Sequence, residues 1–185
     1  MTLKSLTAFA AIAFALPAAA QDGGLTAEDA RTFLEDVQPQ AEQAVEQGDW
    51  EGVQNWLAQN IADDAPIYLT GNVLASEGPS IDFTSSMTGA DLERFAAMGM
   101  SGPSGNVTDV IDEYTLEVRI MDTWQLPDGK VAAAVAFYEH GAFKEGEGMP
   151  FSGPFSSATE CALRMGGSAD DIMIELAHCE VSSNI

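Results

Sequence analysis

Asn106 to Phe143 reads NVTDVIDEYTLEVRIMDTWQLPDGKVAAAVAFYEHGAF, two apolar runs joined by Pro127-Asp128-Gly129-Lys130. Along the first run Tyr114, Leu116, Val118, Ile120 and Trp124 fall on one face, while Thr115, Glu117 and Arg119 fall on the other. A period of two is the mark of a β-strand. Asp-Gly between such runs is a strong hairpin signal, because glycine takes a positive φ without strain. The return run puts Val131, Val135 and Phe137 on one face and Ala132, Ala134, Ala136 and Tyr138 on the other. An antiparallel strand that is apolar on both faces needs cover on both.

Upstream, Thr26-Ala27-Glu28-Asp29 has the form of a capping box. Apolar residues from Ala30 to Val45 then recur at three- and four-residue steps, predicting an amphipathic helix that ends at Gly48, with Pro39 expected to kink or divide it. Asp49 can cap a second helix carrying Trp50, Val53, Trp56 and Leu57 and stopping at Asn60. Ile67 to Leu74 reads as a strand with a bulge or turn at Gly71. Ser76 to Met87 reads as loop, with at most a short strand around Ile81-Asp82-Phe83. A second capping pattern, Thr88-Gly89-Ala90-Asp91, opens a third helix that finishes near Gly99. Beyond the hairpin, Lys144 to Gly153 is Gly-rich, and Phe155 to Met165 and Asp171 to Ser182 are two more strands around Gly166-Gly167-Ser168. The order of elements is that of an α+β fold in one domain, residues 21–185, with no internal repeat.

Residues 1–20 read as a signal peptide: Lys4, the apolar run Leu6 to Leu16, then Ala18-Ala19-Ala20 before Gln21. The run is shorter than the ~20 residues a membrane span requires. The expectation is therefore a periplasmic or secreted protein with no membrane insertion after cleavage. Seven Lys and Arg against 29 Asp and Glu leave a net charge of −22. Such a surface repels phosphate backbones, which excludes nucleic acid as a partner.

Gly48-Asp49-Trp50, the string Asp63-Asp64-Ala65-Pro66-Ile67-Tyr68-Leu69-Thr70-Gly71 and the run Asp128 to Val135, taken with the element order, resemble the nuclear-transport-factor-two-like superfamily, in particular its SnoaL-like, cystatin-like-cone members. The resemblance covers most of residues 26–181. It implies a strongly curved antiparallel sheet wrapped around the N-terminal helices, with an interior pocket, and pairing of subunits through the outer sheet face. It also implies a choice of functions, since the superfamily holds isomerases, cyclases, dehydratases and proteins with no known reaction. No catalytic set of the isomerases transfers residue by residue.

His140, after Tyr138 and Glu139 at the end of a core strand, is a candidate general acid or base, or else a solvent-facing histidine. His178 suits a structural role. Trp56, Tyr68, Trp124 and Tyr138 are candidate walls of an apolar ligand pocket, or core filling. Asp63-Asp64, Asp109-Asp112-Glu113 and Asp170-Asp171 lack the spacing of a calcium loop, no Cys/His pattern fits zinc, and no glycine loop fits a phosphate. No metal and no cofactor is expected. Cys161 and Cys179 are the only cysteines and lie on consecutive strands. Pairing them centres the connection on residue 170, so a disulfide is expected. The double-sided apolarity of Val131 to Tyr138, with Ala132, Ala134 and Ala136 small enough for close approach, leads to the expectation of a homodimer through the outer sheet face, the alternative cover being Lys144 to Gly153 folded back over it. Three functions remain open: an acidic exported domain that binds a small apolar or amphipathic molecule without converting it, an enzyme of the isomerase, cyclase or dehydratase type using an Asp or His140 as proton shuttle, and a partner-binding domain with a filled core.

Overall fold

The computed structural model describes residues 24–47, 49–74, 80–99, 111–144 and 153–185. The expected signal peptide and most of the Gly-rich segment 144–153 lie outside them. Helices α1 (Ala27–Glu46) and α2 (Trp50–Asn60) come first, then strands β1 (Pro66–Leu74) and β2 (Ile81–Thr88) and helix α3 (Gly89–Gly99). Strands β3 (Ile111–Gln125), β4 (Val131–Phe143), β5 (Gly153–Ser168) and β6 (Asp171–Asn184) complete the order.

The helices start where their caps say. The hydroxyl of Thr26 accepts from the Asp29 N–H at 3.1 Å and donates to the Asp29 carboxylate at 2.6 Å. Thr88 and Asp91 repeat the arrangement for α3, and Asp49 accepts from the Gly52 N–H at 2.9 Å for α2. Hydrogen bonding to Thr26 holds the Asp29 carboxyl below the usual range, chiefly through the hydroxyl. Asp91 is lowered in the same way, chiefly by the Thr88 N–H. Pro39 does not divide α1, which is one element from Ala27 to Glu46. Side-chain donors gather on the carbonyls of that turn: Gln40 Nε2 reaches the Asp36 oxygen at 3.2 Å and Trp56 Nε1 the Val37 oxygen at 3.2 Å.

The six strands form one sheet in the order β2-β1-β6-β5-β4-β3. Every neighbouring pair is antiparallel except β1 and β6, so the sheet is mixed rather than wholly antiparallel. Segment 81–88, expected to be mostly loop, is the edge strand β2, paired with β1 along its whole length. Gly71 marks neither a bulge nor a turn. It sits within β1, where a Cβ would come within 2.5 Å of the Val181 carbonyl oxygen and 2.8 Å of the Phe83 ring. The β5–β6 turn falls at Ala169-Asp170 rather than at Gly166-Gly167-Ser168, and both glycines are paired across the hairpin.

Three irregularities bend the ladder: at Glu113, whose φ is 53°, at Met121, and between Arg164 and Met165. The second changes an assignment. Met121 has no partner, so residues beyond it change face, and Trp124 pairs with Ala132 on the outer face instead of continuing the row of Leu116, Val118 and Ile120. On the inner face Val131, Ala133, Val135, Leu163, Met165 and Ile174 pack against Leu34, Leu57 and Ile61 of the helical layer. The free edge of β3 is covered by α1. Glu42 accepts from the Val118 N–H at 2.8 Å, and Gln38 donates to the Val118 carbonyl at 2.9 Å.

Candidate functional site

The register resolves the inner face into rows that cross the sheet. One row, Ile120–Val135–Cys161–Cys179–Leu69, is apolar and holds three buried residues, Val135, Cys161 and Cys179. The next, Val118–Phe137–Thr159–Val181–Gly71, admits a hydroxyl. The one beyond it, Leu116–Glu139–Ser157–Ser183–Val73, is polar at its centre. Glu139, Ser157 and Ser183 are all half-buried. Polarity therefore rises along the concave face toward one end.

Two contacts organise that end. The Tyr114 hydroxyl donates to the Glu139 carboxylate at 2.6 Å, and the hydroxyls of Ser157 and Ser183 lie 2.9 Å apart. The Glu113 irregularity opposes Glu113 and Tyr114 to the single residue Gly141. A Cβ on Gly141 would lie 2.7 Å from the Phe155 ring, so the glycine admits that ring over the strand. Phe155 in turn packs on Phe143 at 4.8 Å and on Tyr114 at 6.3 Å between ring centroids. The result is a carboxylate–phenol pair and two serines beside the Phe143 and Phe155 rings. It can accept a hydrogen bond from a ligand, hold an apolar ring or chain, and exchange a proton through Glu139.

The residues expected to line a pocket are not brought together. Tyr68 is 45% exposed on the outer face, where its ring meets His178 edge-on at 6.2 Å. Trp124 is 43% exposed on the same face. Tyr138, between Ala136 and His140, lies there too, with the Arg119 guanidinium 4.9 Å from its ring centre. Arg119 also holds the Glu117 carboxyl below the usual range, chiefly by hydrogen bonding. Trp56 sits apart from these three, half-buried between α1 and α2. His140 is exposed and opposes Thr115 and Ser156. Its neighbour Glu139 is a carboxylate on the concave side. Strand parity held that signal, since Glu139 continues the series Val131, Val135, Phe137. Among the described residues no group of three His, Cys, Asp or Glu is placed to hold a metal ion, and no helix is long and apolar enough to cross a membrane. Cys161 and Cys179, directly opposed with Cα atoms 4.1 Å apart, are joined by a disulfide.

No family model and no curated protein matches the chain. Solved structures do resemble it. A naphthalene 1,2-dioxygenase chain, from a structure with indole bound in the active site, is similar at a TM-score of 0.50 and 6% identity, over 80% of this chain and 77% of that one. A ketosteroid isomerase-like protein from Erwinia carotovora atroseptica is similar at 0.45 and 12% identity, over 81% of this chain and 94% of its own. An NTF-2-like protein of unknown function from Shewanella oneidensis MR-1 is similar at 0.39 and 13% identity, over 83% and 97%. The architecture, helices held in the concave face of a curved, unclosed sheet, is the α+β cone that the sequence resemblance implied.

Proposed function

We propose that the chain is an exported domain that binds a small amphipathic molecule on the concave face of its sheet. The observation that carries this reading is the half-buried Glu139 carboxylate, bonded to the Tyr114 hydroxyl at 2.6 Å and set beside the Phe143 and Phe155 rings. A carboxylate kept on the concave side of an apolar sheet loses hydration, and a ligand hydroxyl or N–H would restore it. Ser157 and Ser183 supply further donors and acceptors in the same row, and the two rings suit a flat or branched apolar body. Export is supported by the character of residues 1–20 and by the Cys161–Cys179 disulfide, which suits the periplasm or the extracellular space. A homodimer through Ala132, Ala134 and Ala136 on the outer face belongs to the same proposal, with Trp124 and Tyr68 as flanking contacts.

One observation favours a second, catalytic reading. A carboxylate hydrogen-bonded to a phenol is an acid–base pair, and Glu139 takes the shuttle role in place of His140. Native mass spectrometry of protein isolated from its own host tests both. The binding reading expects a bound small molecule that is released unchanged and is lost from Glu139→Ala. Release of a chemically altered molecule favours catalysis. A wild-type protein that carries nothing, and whose melting temperature no aromatic alcohol or amide raises, overturns both.

A further inference from the structure

A cleft of about 350 Å3 opens between α1 and α2, lined by Gln40 and Gln43 of α1, Gln47 just after it, and Asn55, Trp56 and Gln59 of α2. It is distinct from the concave-face site in every residue. Its chemistry is unusual for this chain. With 29 acids and eight glutamines in the sequence, four of the glutamines line this one cleft. Among the described residues one carboxylate lines it, Asp49, and one of its oxygens accepts from the Gly52 N–H at the start of α2. Gln40 spends its amide N–H on the Asp36 carbonyl. The side chains of Gln43, Gln47, Asn55 and Gln59 make no hydrogen bond to protein among the described residues.

The amides stand in register. Gln40 and Gln43 on α1 and Gln47 in the turn just after it recur at three- and four-residue steps, the Gln47 N–H still bonding the Gln43 carbonyl at 3.0 Å, and Asn55 and Gln59 are four apart on α2, so each set forms one stripe. Each primary amide presents a donor and an acceptor in one plane, the pair that two adjacent hydroxyls of a sugar satisfy together. Trp56, with its indole N–H held by the Val37 carbonyl at 3.2 Å, offers the cleft ring carbon rather than a donor. Ring carbon flanked by uncharged amides suits a molecule with a C–H face and a hydroxyl rim. Among the described residues the lining has no base for an anion and a single carboxylate, Asp49, against five amides. The volume lies in the range that holds a small organic molecule. We propose that this cleft is a saccharide-binding site, with Trp56 as the stacking platform and Gln43, Gln47, Asn55 and Gln59 as the hydroxyl-reading rim.

The test is saturation-transfer NMR and tryptophan fluorescence titration of the full mature chain against glucose, galactose, mannose, N-acetylglucosamine, cellobiose and maltose. At least one sugar is expected to bind saturably. Gln43→Ala/Gln47→Ala, and separately Gln59→Ala, should weaken it by roughly tenfold, the effect of losing one or two hydrogen bonds. All three side chains are exposed, so folding should survive, and circular dichroism checks that. No saturable binding by any of the sugars, or binding that both variants leave unchanged, overturns the proposal.

Discussion

Breaking the Cys161–Cys179 bond removes the one covalent constraint on the β5–β6 hairpin without altering a side-chain volume, provided it is broken by reduction rather than substitution. The two cysteines are 18 residues apart in sequence. For a loop of that size the chain-entropy relation gives a stabilisation of about 3 kcal/mol at 25 °C, acting through the unfolded state. In a domain of this length each kcal/mol moves the melting midpoint by roughly 2–4 °C, so reduction should lower it by roughly 6–12 °C. The denatured hairpin works against the full value. Its strands are contiguous, and residual pairing in the unfolded chain already limits its freedom. The assay is calorimetry of one protein stock with and without reductant, with thiols counted in denaturant before each scan. The double variant Cys161→Ala/Cys179→Ala should fall further than the reduced protein. It also removes two buried sulfurs from the row between Val135 and Leu69 and leaves a cavity there. A reduced protein with two counted thiols that melts within a degree or two of the oxidised one would refute the entropic argument. Two free thiols in the untreated exported protein would refute the bond itself.

Other perturbations read separate parts of the structure. Gly71→Ala drives a methyl into the Val181 carbonyl and the Phe83 ring, and should cost about 1–3 kcal/mol in urea unfolding. Glu42→Ala strips the acceptor from the Val118 N–H on the edge of β3 that α1 covers; a loss of about 1–3 kcal/mol and faster aggregation by light scattering are expected. The carboxyls of Asp29, Asp91 and Glu117 are lowered in the folded state, so their stabilisation is present above the ordinary carboxylate range and lost as pH falls through their lowered values. Self-repulsion from the charge of −22 acts the other way and eases as pH falls from neutrality. Melting temperature in low salt should therefore peak on the acid side of neutrality and then fall, and added salt should raise it at pH 7.

The parts of the fold that could be read from sequence are those in which local chemistry and global structure agree. The capping boxes at Thr26 and Thr88 name their helix starts, and Pro127-Asp128-Gly129-Lys130 turns the hairpin it announces, with Gly129 at a φ of 82°. The register of Cys161 opposite Cys179 followed from counting residues around a turn, and it holds although the turn's glycines were misassigned. β2 escaped because Ile81-Asp82-Phe83-Thr84-Ser85-Ser86-Met87-Thr88 has no consistent apolar face. As an edge strand it is largely exposed on both sides, and its backbone partner β1, not its side chains, makes it a strand. Pro39 stays inside α1, and one of the side-chain donors on its turn, Trp56, comes from 19 residues away, where a local reading does not reach.

The site was harder to read because parity is only as reliable as the ladder is regular. From Leu116 to Ile120 an alternating pattern assigns faces correctly, but the extra residue Met121 reverses every assignment after it. Nothing in the side chains of Arg119-Ile120-Met121-Asp122 announces the insertion, so Trp124 read as interior while it stands on the outer face. β4 has no such fault, and its parity carries unbroken from Val131 through Val135 and Phe137 to Glu139. The same alternation that assigns Phe137 to the core assigns Glu139 inward and His140 outward. Residue type alone favoured the histidine, because imidazole titrates near neutrality, but direction decides which group a ligand in the cone can meet. The carboxylate that shares the concave face with Phe155 and Tyr114 is therefore the group on which a test of function belongs.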